Sequence, residues 1–329
     1  MDDIRFPRRQ FLIGLAGAAV APCALAQGAR PTIATRRLNN IMIAVSDLDR
    51  SIAFYENLFG AALRQRDAAV FRLGSGPHFF ALVPAGAGSK PGFLSYGITV
   101  ADFDTGRLTQ ALNQHGVTNV QVVSREGVPE LFIADPDGIR IQLQHETYGR
   151  GSGPLGAMPP VQRASSPVLE LKTMNHVTLT TSDRMRSAQF YQGIFGLPVQ
   201  TTQGGGPILA VGTGPENIVI GGGANAGGSN PRPDVGVNHV CFTIENFDPN
   251  RVMGILIGKG LQPIEYGNPA LIKPQTCRVR LRQRANNGGG PTSPIGTPEL
   301  YFNDPDNIPI QIQDVKYCGG SGALGQICP

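Results

Sequence analysis

Apolar and polar positions along the chain follow one scheme that is written twice. Residues 39–60 show an extended β-rich run, an Asp/Ser helix cap, a helix with adjacent aromatic residues and a glycine stop. Residues 175–196 repeat that order at an offset of 136. Farther along, residues 129–137 and 298–306 share Pro-Glu-Leu-aromatic followed by Asp-Pro-Asp, at an offset of 169. A period this long indicates domain duplication and not a solenoid.

A second strand and helix are predicted inside each copy. Residues 95–116 and residues 239–260 each read as a short apolar strand, an aspartate-capped helix and a glycine stop. Each copy therefore predicts the order β-α-β-β-β twice over. Short strands between turn signals, with two single helices per copy, favour an α+β domain with a curved sheet.

The N-terminus has the pattern of an export signal. Residues 11–26 are mostly apolar but too few to span a bilayer, which needs about 20. Arg8 and Arg9 precede them, and small residues occupy a cleavage site before Gln27. Residues 1–26 thus resemble a twin-arginine signal, with a lipid-facing anchor or a basic tail as the alternative. We expect the twin-arginine machinery to deliver the chain to the periplasm or outside the cell, with no membrane-embedded part in the mature form.

Charge and cysteine content narrow the classes further. The formal net charge is only +4 over 329 residues, too small to indicate a nucleic-acid partner. Four cysteines follow the signal, an even number that permits disulfides in an oxidising compartment. Cys318 and Cys328 bracket a glycine-rich tail and could close a loop, whereas Cys241 in an apolar strand also suits a buried thiol. Whether Cys318–Cys328 or Cys241–Cys277 pairs form stays open.

Alternate positions of residues 277–284 hold four arginines. On a strand they would point to one side, where they could attract an anionic substrate. The commoner role of such a stripe is a solvated edge that discourages aggregation, and this interpretation is preferred.

Residues 45–55 and 135–138 resemble the vicinal oxygen chelate superfamily, which includes glyoxalase I, extradiol ring-cleaving dioxygenases, and bleomycin- and fosfomycin-resistance proteins. The resemblance implies two tandem domains, each a pair of βαβββ modules forming a curved open β-sheet cup. The resulting plan is a signal at 1–26, an N-terminal domain at 38–147, a linker at 148–173, a C-terminal domain at 174–316 and a Gly/Cys tail at 317–329.

The resemblance also implies metal ligands on the first, fifth and last strands of a domain. In the second copy these positions hold His176, His239 and Gln311, where the family usually has glutamate at the last. Two imidazoles and one oxygen donor suit Fe²⁺ or Mn²⁺, with Ni²⁺ or Zn²⁺ as alternatives. A glutamine supplies no negative charge, so we expect lower affinity. The alternative is that both histidines are ordinary cup residues. The corresponding positions of the first copy, which should hold no metal, are Asn40, Ser95 and Gln142.

The chemistry is less defined than the ligand set. Two-domain extradiol dioxygenases have a similar layout, with a metal-free first domain and a tyrosine ten residues before the last ligand. Tyr301 matches that tyrosine and could bind a substrate oxygen or stabilise an anion; the alternative is a plain strand aromatic. Their acid–base histidine has no counterpart here. Glyoxalase-like sites need a further glutamate on the fourth strand, for which Glu216 is a weak substitute.

These observations predict an exported, metal-dependent enzyme with dioxygenase- or lyase-like chemistry. Its substrate would be a small molecule with neighbouring oxygens, such as a catechol-like compound, and the chain could form a homodimer. The alternative is a non-catalytic periplasmic protein that sequesters a small molecule, as bleomycin-resistance proteins do.

Overall fold

The computed structural model describes most of the chain beyond the predicted signal, which lies outside the described residues together with most of the predicted linker. The described ranges are 33–65, 67–125, 127–148, 167–222, 235–282, 296–320 and 322–328. Within them the helices are α1 (Leu48–Phe59), α2 (Thr105–Gln114), α3 (Arg184–Phe195) and α4 (Pro249–Gly258).

The strands divide between the two copies. Those of the first are β1 (Thr35–Val45), β2 (Leu63–Gln65), β3 (Ala68–Arg72), β4 (Phe79–Pro84), β5 (Gly92–Val100), β6 (Gln121–Arg125), β7 (Val128–Ala134) and β8 (Arg140–His145). Those of the second are β9 (Met174–Thr181), β10 (Val199–Gln203), β11 (Gly206–Ala210), β12 (Asn217–Gly222), β13 (Gly236–Ile244), β14 (Gln262–Pro263), β15 (Thr276–Arg282), β16 (Thr297–Asn303) and β17 (Pro309–Asp314).

Each copy folds into one mixed sheet, so the α+β prediction with two modules per domain is confirmed. The first sheet has the order β2-β3-β4-β1-β5-β8-β7-β6, and the second has β10-β11-β12-β9-β13-β17-β16-β15-β14. The first strands of the two modules pair antiparallel at the centre of each sheet, as β1 with β5 and β9 with β13. The two-residue β14 pairs parallel with β15. Within the described part of the first copy there is no equivalent strand, and the sequence did not predict one.

Aspartate caps begin the helices where the sequence indicates. Each capping residue has an extended backbone, and its carboxylate accepts a backbone N–H from the first turn, which is worth about 1 kcal/mol per cap. The caps are Asp47, Asp104, Asp183 and Asp248. Helix α3 ends at Gly196, whose φ of 61° is left-handed and favours glycine.

The repeated motifs bind across the two copies, not within one. The Tyr55 hydroxyl on α1 donates to Asp304 of the second copy at 3.1 Å. In the mirrored contact, the Tyr191 hydroxyl on α3 donates to Asp135 of the first copy at 3.0 Å. The Asp-Pro-Asp turn of each domain therefore accepts a hydrogen bond from the first helix of the other domain.

Neighbouring positions of the same motifs repeat this exchange. The backbone N–H of Ser46 donates to Asp306 at 2.8 Å, and that of Ser182 donates to Asp137 at 3.0 Å. Arg186 pairs with Asp137 at 2.6 Å, and the equivalent arginine of α1 pairs with Asp306. The two copies are thus joined by two equivalent sets of hydrogen bonds.

One continuous apolar core joins the two copies. The rings of Phe80 and Phe242 stack at 5.1 Å between centroids, and Phe302 of the second sheet lies 6.1 Å from both Phe54 and Phe59. Burial of each such ring contributes about 1.5–3 kcal/mol. The helices therefore cover their own sheet and also contact the other one.

The ends of the predicted linker and tail are ordered against the domains. Leu169 is buried, and its backbone N–H donates to Leu58. Cys318 and Cys328 form a disulfide, whereas Cys241 and Cys277 are buried free thiols. Within the described ranges, no helix has the length and apolar character needed to cross a membrane.

Candidate metal centre

Three neighbouring strands of the second sheet carry the predicted ligands. His176 lies on β9, His239 on β13 and Gln311 on β17, with β13 between the other two. Cys241 of β13 is in register with both His176 and Gln311, so these residues form one row across the sheet. Because facing residues of paired strands project to the same side, the row presents its side chains to the cup.

The structure brings all three side chains together at one point. His176 Nε2 lies 3.2 Å from Gln311 Oε1, and His239 Nε2 lies 3.0 Å from the same oxygen. The two imidazole ring centroids are 5.6 Å apart. Exposed fractions are 3% for His176, 8% for His239 and 1% for Gln311, so the group is nearly sealed from water.

Asparagines that precede the histidines orient their rings. Asn175 Nδ2 donates to the backbone carbonyl of Tyr317 at 2.5 Å, which turns Asn175 Oδ1 toward His176 Nδ1 at 2.8 Å. Since that oxygen can only accept, His176 Nδ1 carries the proton, and in the neutral imidazole Nε2 then presents a lone pair to Gln311. Asn238 Oδ1 lies 2.8 Å from His239 Nδ1 and imposes the same tautomer. Such partners are typical of metal-binding histidines.

In this arrangement the imidazole Nε2 atoms, as hydrogen-bond acceptors, lie close to the Gln311 side-chain oxygen, which is also an acceptor. His176 Nε2 faces Gln311 Oε1, whereas His239 Nε2 lies near both that oxygen and the Thr178 hydroxyl, at 3.0 and 3.1 Å, and Gln311 Nε2 is buried without a hydrogen-bond partner. A bound cation would relieve this conflict, and so would a rotated amide that donates to the imidazoles. No three His, Cys, Asp or Glu side chains of the described residues group as metal ligands. Two imidazoles and a neutral amide oxygen are nevertheless a donor set that suits a divalent ion.

Tyr301 lies beside the histidines but directs its proton elsewhere. Its ring meets that of His239 edge-on at 5.2 Å, and its hydroxyl donates to Glu299 at 3.0 Å. Burial, followed by the nearby Glu299 charge, raises the pKa of Tyr301 well above its usual value, so the group is a neutral phenol. A direct role on a substrate stays a prediction, and it requires this hydroxyl to leave Glu299.

Glu299 is the residue of this region that sequence reasoning missed. It lies two positions before Tyr301 on the same face of β16 and is almost fully buried. Arg282 donates to both of its oxygens, at 2.6 and 3.0 Å, and Tyr317 donates at 3.2 Å. A signal was present, because glutamate and tyrosine recur in the first copy as Glu130 and Tyr148. The role of the glutamate depends on its contacts with a neighbouring strand, and a sequence motif does not show which strand that is.

The arginine stripe is not the solvated edge that the sequence favoured. Arg282 is bound to Glu299, and Arg278 is buried and donates to Asn303 at 2.6 Å. Arg280 lies over the ring of Tyr266 at 5.1 Å. The last arginine of the stripe lies outside the described residues. Buried arginines require carboxylate or carbonyl partners, and β16 supplies both.

Glu216 is directed away from the predicted ligands. Its carboxylate accepts from the backbone N–H of Leu38 at 2.5 Å and lies 3.1 Å from His78 Nε2, both in the first copy. The fourth-strand residue in register with His176 is Asn217. The idea that Glu216 replaces a glyoxalase-like fourth ligand is therefore wrong, because the contact between the two copies occupies its oxygens.

The equivalent location in the first copy is an amide cluster. Asn40 Nδ2 donates to Gln142 at 3.4 Å and to Asn39 at 3.1 Å, and Gln144 donates to the same Asn39 oxygen at 2.6 Å. Ser95 is buried on the neighbouring strand. The two cups thus share a fold but differ in donor chemistry, since only the second contains imidazoles at these positions.

Comparison with known proteins agrees with this architecture. The sequence model of the Glyoxalase/Bleomycin resistance protein/Dioxygenase superfamily matches residues 37–143. A glutathione transferase FosA from Serratia marcescens is 33% identical over 114 residues, which cover 32% of this chain and 78% of that protein. The chain belongs to the glyoxalase, bleomycin resistance and dioxygenase superfamily.

Solved structures share the two-domain fold at low sequence identity. A catechol 2,3-dioxygenase has a TM-score of 0.59 at 14% identity, with 89% of this chain and 90% of that one covered. A Mn(II)-bound glyoxalase from Novosphingobium aromaticivorans has 0.56 at 16%, covering 85% and 82%. An extradiol ring-cleaving dioxygenase from B. fuscum has 0.55 at 19%, covering 90% and 74%. Identities this low establish the fold alone.

Proposed function

We propose that the C-terminal cup is the divalent-metal centre of an exported enzyme. One observation carries the proposal: His176 Nε2 and His239 Nε2 both lie within 3.2 Å of Gln311 Oε1. Asparagine carbonyls hold both Nδ1 atoms, so both Nε2 atoms lie beside that point, with the Thr178 hydroxyl also 3.1 Å from His239 Nε2. Fe²⁺ and Mn²⁺ suit this donor set best, with Ni²⁺ and Zn²⁺ as alternatives.

The substrate we propose is a small molecule with two neighbouring oxygens, such as a catechol-like compound. A bound divalent ion with open positions supplies Lewis acidity, and a redox-active one can also activate O₂. The reaction would be dioxygenase- or lyase-like. The names of the similar proteins include a catechol dioxygenase and a Mn(II)-bound glyoxalase, which supports this substrate class.

The protein's own residues would orient the ligands and restrict protons. His176 and His239 would hold the ion, and Gln311 would complete the shell without adding charge. Glu299, paired with Arg282, accepts a hydrogen bond from the Tyr301 hydroxyl and keeps that phenol ordered beside His239. Near-complete burial excludes bulk water, which strengthens electrostatic interactions in the cup.

Export through the twin-arginine pathway belongs to the proposal and depends on the pattern of residues 1–26. That pathway carries folded proteins, so the centre could be loaded before export. A periplasmic or secreted location follows from it. Fractionation of cells that express the wild-type chain and a variant with Arg8 and Arg9 changed to lysine tests this step: the wild type should leave the cytoplasm and the variant should remain.

Metal analysis of the purified full chain tests the centre itself. We expect about one equivalent of divalent metal in the wild type and almost none in a His176→Ala/His239→Ala variant, because two of three donors are lost. The matched control is Asn40→Ala/Ser95→Ala, which alters the same positions of the first copy and should retain the metal. Equal metal content in all three proteins would place the ion elsewhere and refute the proposal.

The second candidate is sequestration of a small molecule without catalysis. It is favoured by the neutral Gln311, which adds no negative charge to hold a metal ion. Metal-free protein that binds a catechol-like ligand as tightly as the metal-loaded protein would support this function instead of the enzyme.

A further inference from the structure

The C-terminal tail contacts the histidine site through Tyr317. Its backbone carbonyl accepts from Asn175 Nδ2 at 2.5 Å, and Asn175 Oδ1 in turn binds His176 Nδ1 at 2.8 Å. Its ring packs beside His176 at 5.7 Å between centroids. Its hydroxyl donates to Glu299 at 3.2 Å. Tyr317 therefore touches His176, the partner of His176, and the buried carboxylate.

A disulfide-closed loop fixes Tyr317 from the other side. The Cys318–Cys328 bond closes the loop directly after Tyr317, and the backbone N–H of Cys318 donates to Gly325 at 3.0 Å. Gly325 has a φ of 67°, and a Cβ there would lie 2.6 Å from the tyrosine ring. The loop backbone thus lies directly on the ring, and only glycine permits that approach.

Two more hydrogen bonds attach this loop to the second sheet. Gln200 on β10 donates to the Cys318 carbonyl at 2.6 Å. Thr297, at the start of β16, donates to the Gly322 carbonyl at 3.0 Å. The loop therefore spans from one edge region of the cup to the strand that carries Glu299.

The first copy shows what is specific to the second. Asn39 donates to the Tyr148 carbonyl at 3.2 Å, and Tyr148 binds Glu130, so the asparagine–tyrosine–glutamate contacts recur. In that copy the tyrosine is followed by Gly149, where the second copy has Cys318. The covalent closure is therefore found in the copy that contains His176 and His239.

We propose that the disulfide-closed loop, acting through Tyr317 and Asn175, positions His176 with its Nε2 lone pair directed at Gln311. Asn175 and Tyr317 are then positioning residues. The value of this orientation for metal binding rests on the proposed function, but the orientation itself is a property of the metal-free protein. His239 Nδ1 is held instead by Asn238, whose side chain donates to Thr180 on β9 and not to the tail.

Nitrogen NMR of the metal-free full chain tests the positioning directly. We expect the wild-type His176 to show one tautomer with a slowly exchanging Nδ1–H. In a Cys318→Ser/Cys328→Ser variant, His176 should populate both tautomers and its Nδ1–H should exchange at least about tenfold faster, while His239 stays unchanged. Cys277→Ala is the matched control for a lost thiol and should leave both histidines as in the wild type.

Two further variants separate positioning from general loss of structure. Gly325→Ala keeps the disulfide but pushes the loop off the Tyr317 ring, so it should reproduce the His176 effect in part. Asn175→Ala should reproduce it fully, whereas Asn39→Ala, the equivalent change in the first copy, should not. Unchanged His176 signals in the disulfide variant, or equal changes at His176 and His239, would overturn the proposal.

Metal affinity provides the second readout. Loss of a residue that orients a ligand typically weakens metal binding 10–100-fold. We therefore expect Mn²⁺ to bind the disulfide variant about tenfold more weakly than the wild type in a competition titration. If the wild type binds no metal, the proposed function fails, and the NMR comparison still decides whether the loop positions His176.

Discussion

In the proposed metal centre, Gln311 would determine how strongly the cation is held. It is the shared neighbour of both imidazoles, and its side-chain nitrogen has no hydrogen-bond partner. An amide oxygen can ligate but cannot neutralise a divalent charge in a buried site, where compensation matters most. The residue therefore favours an electrophilic and weakly bound ion over a tightly held one.

Replacement of this amide by a carboxylate tests that view. In Gln311→Glu, Mn²⁺ affinity should rise at least about tenfold, since a charge-assisted ligand replaces a neutral one. The metal-free variant should unfold at a lower temperature than the wild type, because it buries an uncompensated charge. Competition titration and thermal unfolding measure both effects.

The matched control for that variant is Gln142→Glu, which makes the same change in the first copy, where Asn40 and Ser95 stand in place of the two histidines. It should not create tighter Mn²⁺ binding. Equal affinities of the wild type and Gln311→Glu would remove Gln311 from the metal shell, whatever their thermal stabilities.

At the scale of elements, the helix caps and the glycine stops could be predicted because they depend on local chemistry. Asp183 and Gly196, for example, begin and end α3 as their positions indicate. The family resemblance also placed His176 and His239 on strands that prove to be neighbours. Glu299 could not be given a role, because its partners lie on β15 and in the tail. Sequence periodicity shows which face of a strand a residue occupies, but not which residues contact that face.

The crossing of elements between the copies creates unusually tight turns. Gly212 has a φ of 67°, and a Cβ there would lie 1.8 Å from the backbone oxygen of Arg36 in the other copy. Gly74 is the equivalent glycine of the first copy and approaches the Lys172 oxygen in the same way. Both turns were invisible in the sequence, since glycine is frequent throughout this chain.

Substitution at this crossing should weaken the whole fold. Gly212→Ala combines a left-handed backbone with a main-chain clash, so we expect a loss of at least about 2 kcal/mol in the free energy of unfolding. Denaturant titration measures it. Gly214→Ala is the control, because its Cβ would meet no atom within 4 Å. Similar losses in both variants would show that the close approach to Arg36 is unimportant.

At the scale of the whole molecule, buried carboxylates between the copies link stability to pH. Burial is the main cause that raises the pKa of Asp304 from 3.8 to about 6, although backbone N–H groups of Ile308 and Asp306 oppose it. A raised folded-state pKa means that the folded protein binds this proton more tightly than the unfolded chain. The stabilisation is complete below about pH 4 and is lost as the pH rises through 6.

An Asp304→Asn variant should lack this dependence. Relative to the variant, the wild type should lose on the order of 2–3 kcal/mol of unfolding free energy between pH 4 and pH 7, since one pKa unit corresponds to about 1.4 kcal/mol. Urea titrations of both proteins across that range give the difference. A difference that does not vary with pH would show that Asp304 does not take up a proton in the folded state.

The exchange of motifs between the copies shows what the first copy contributes to the second. The Tyr55 hydroxyl donates to Asp304, and the Ser46 backbone N–H donates to Asp306. Both carboxylates lie in the turn just before β17, the strand that carries Gln311. Deletion of the first copy would remove these hydrogen bonds and expose the aromatic residues around Phe302. We expect the second copy alone to be unstable, because the first copy supplies hydrogen bonds and apolar contacts that another molecule would otherwise have to supply.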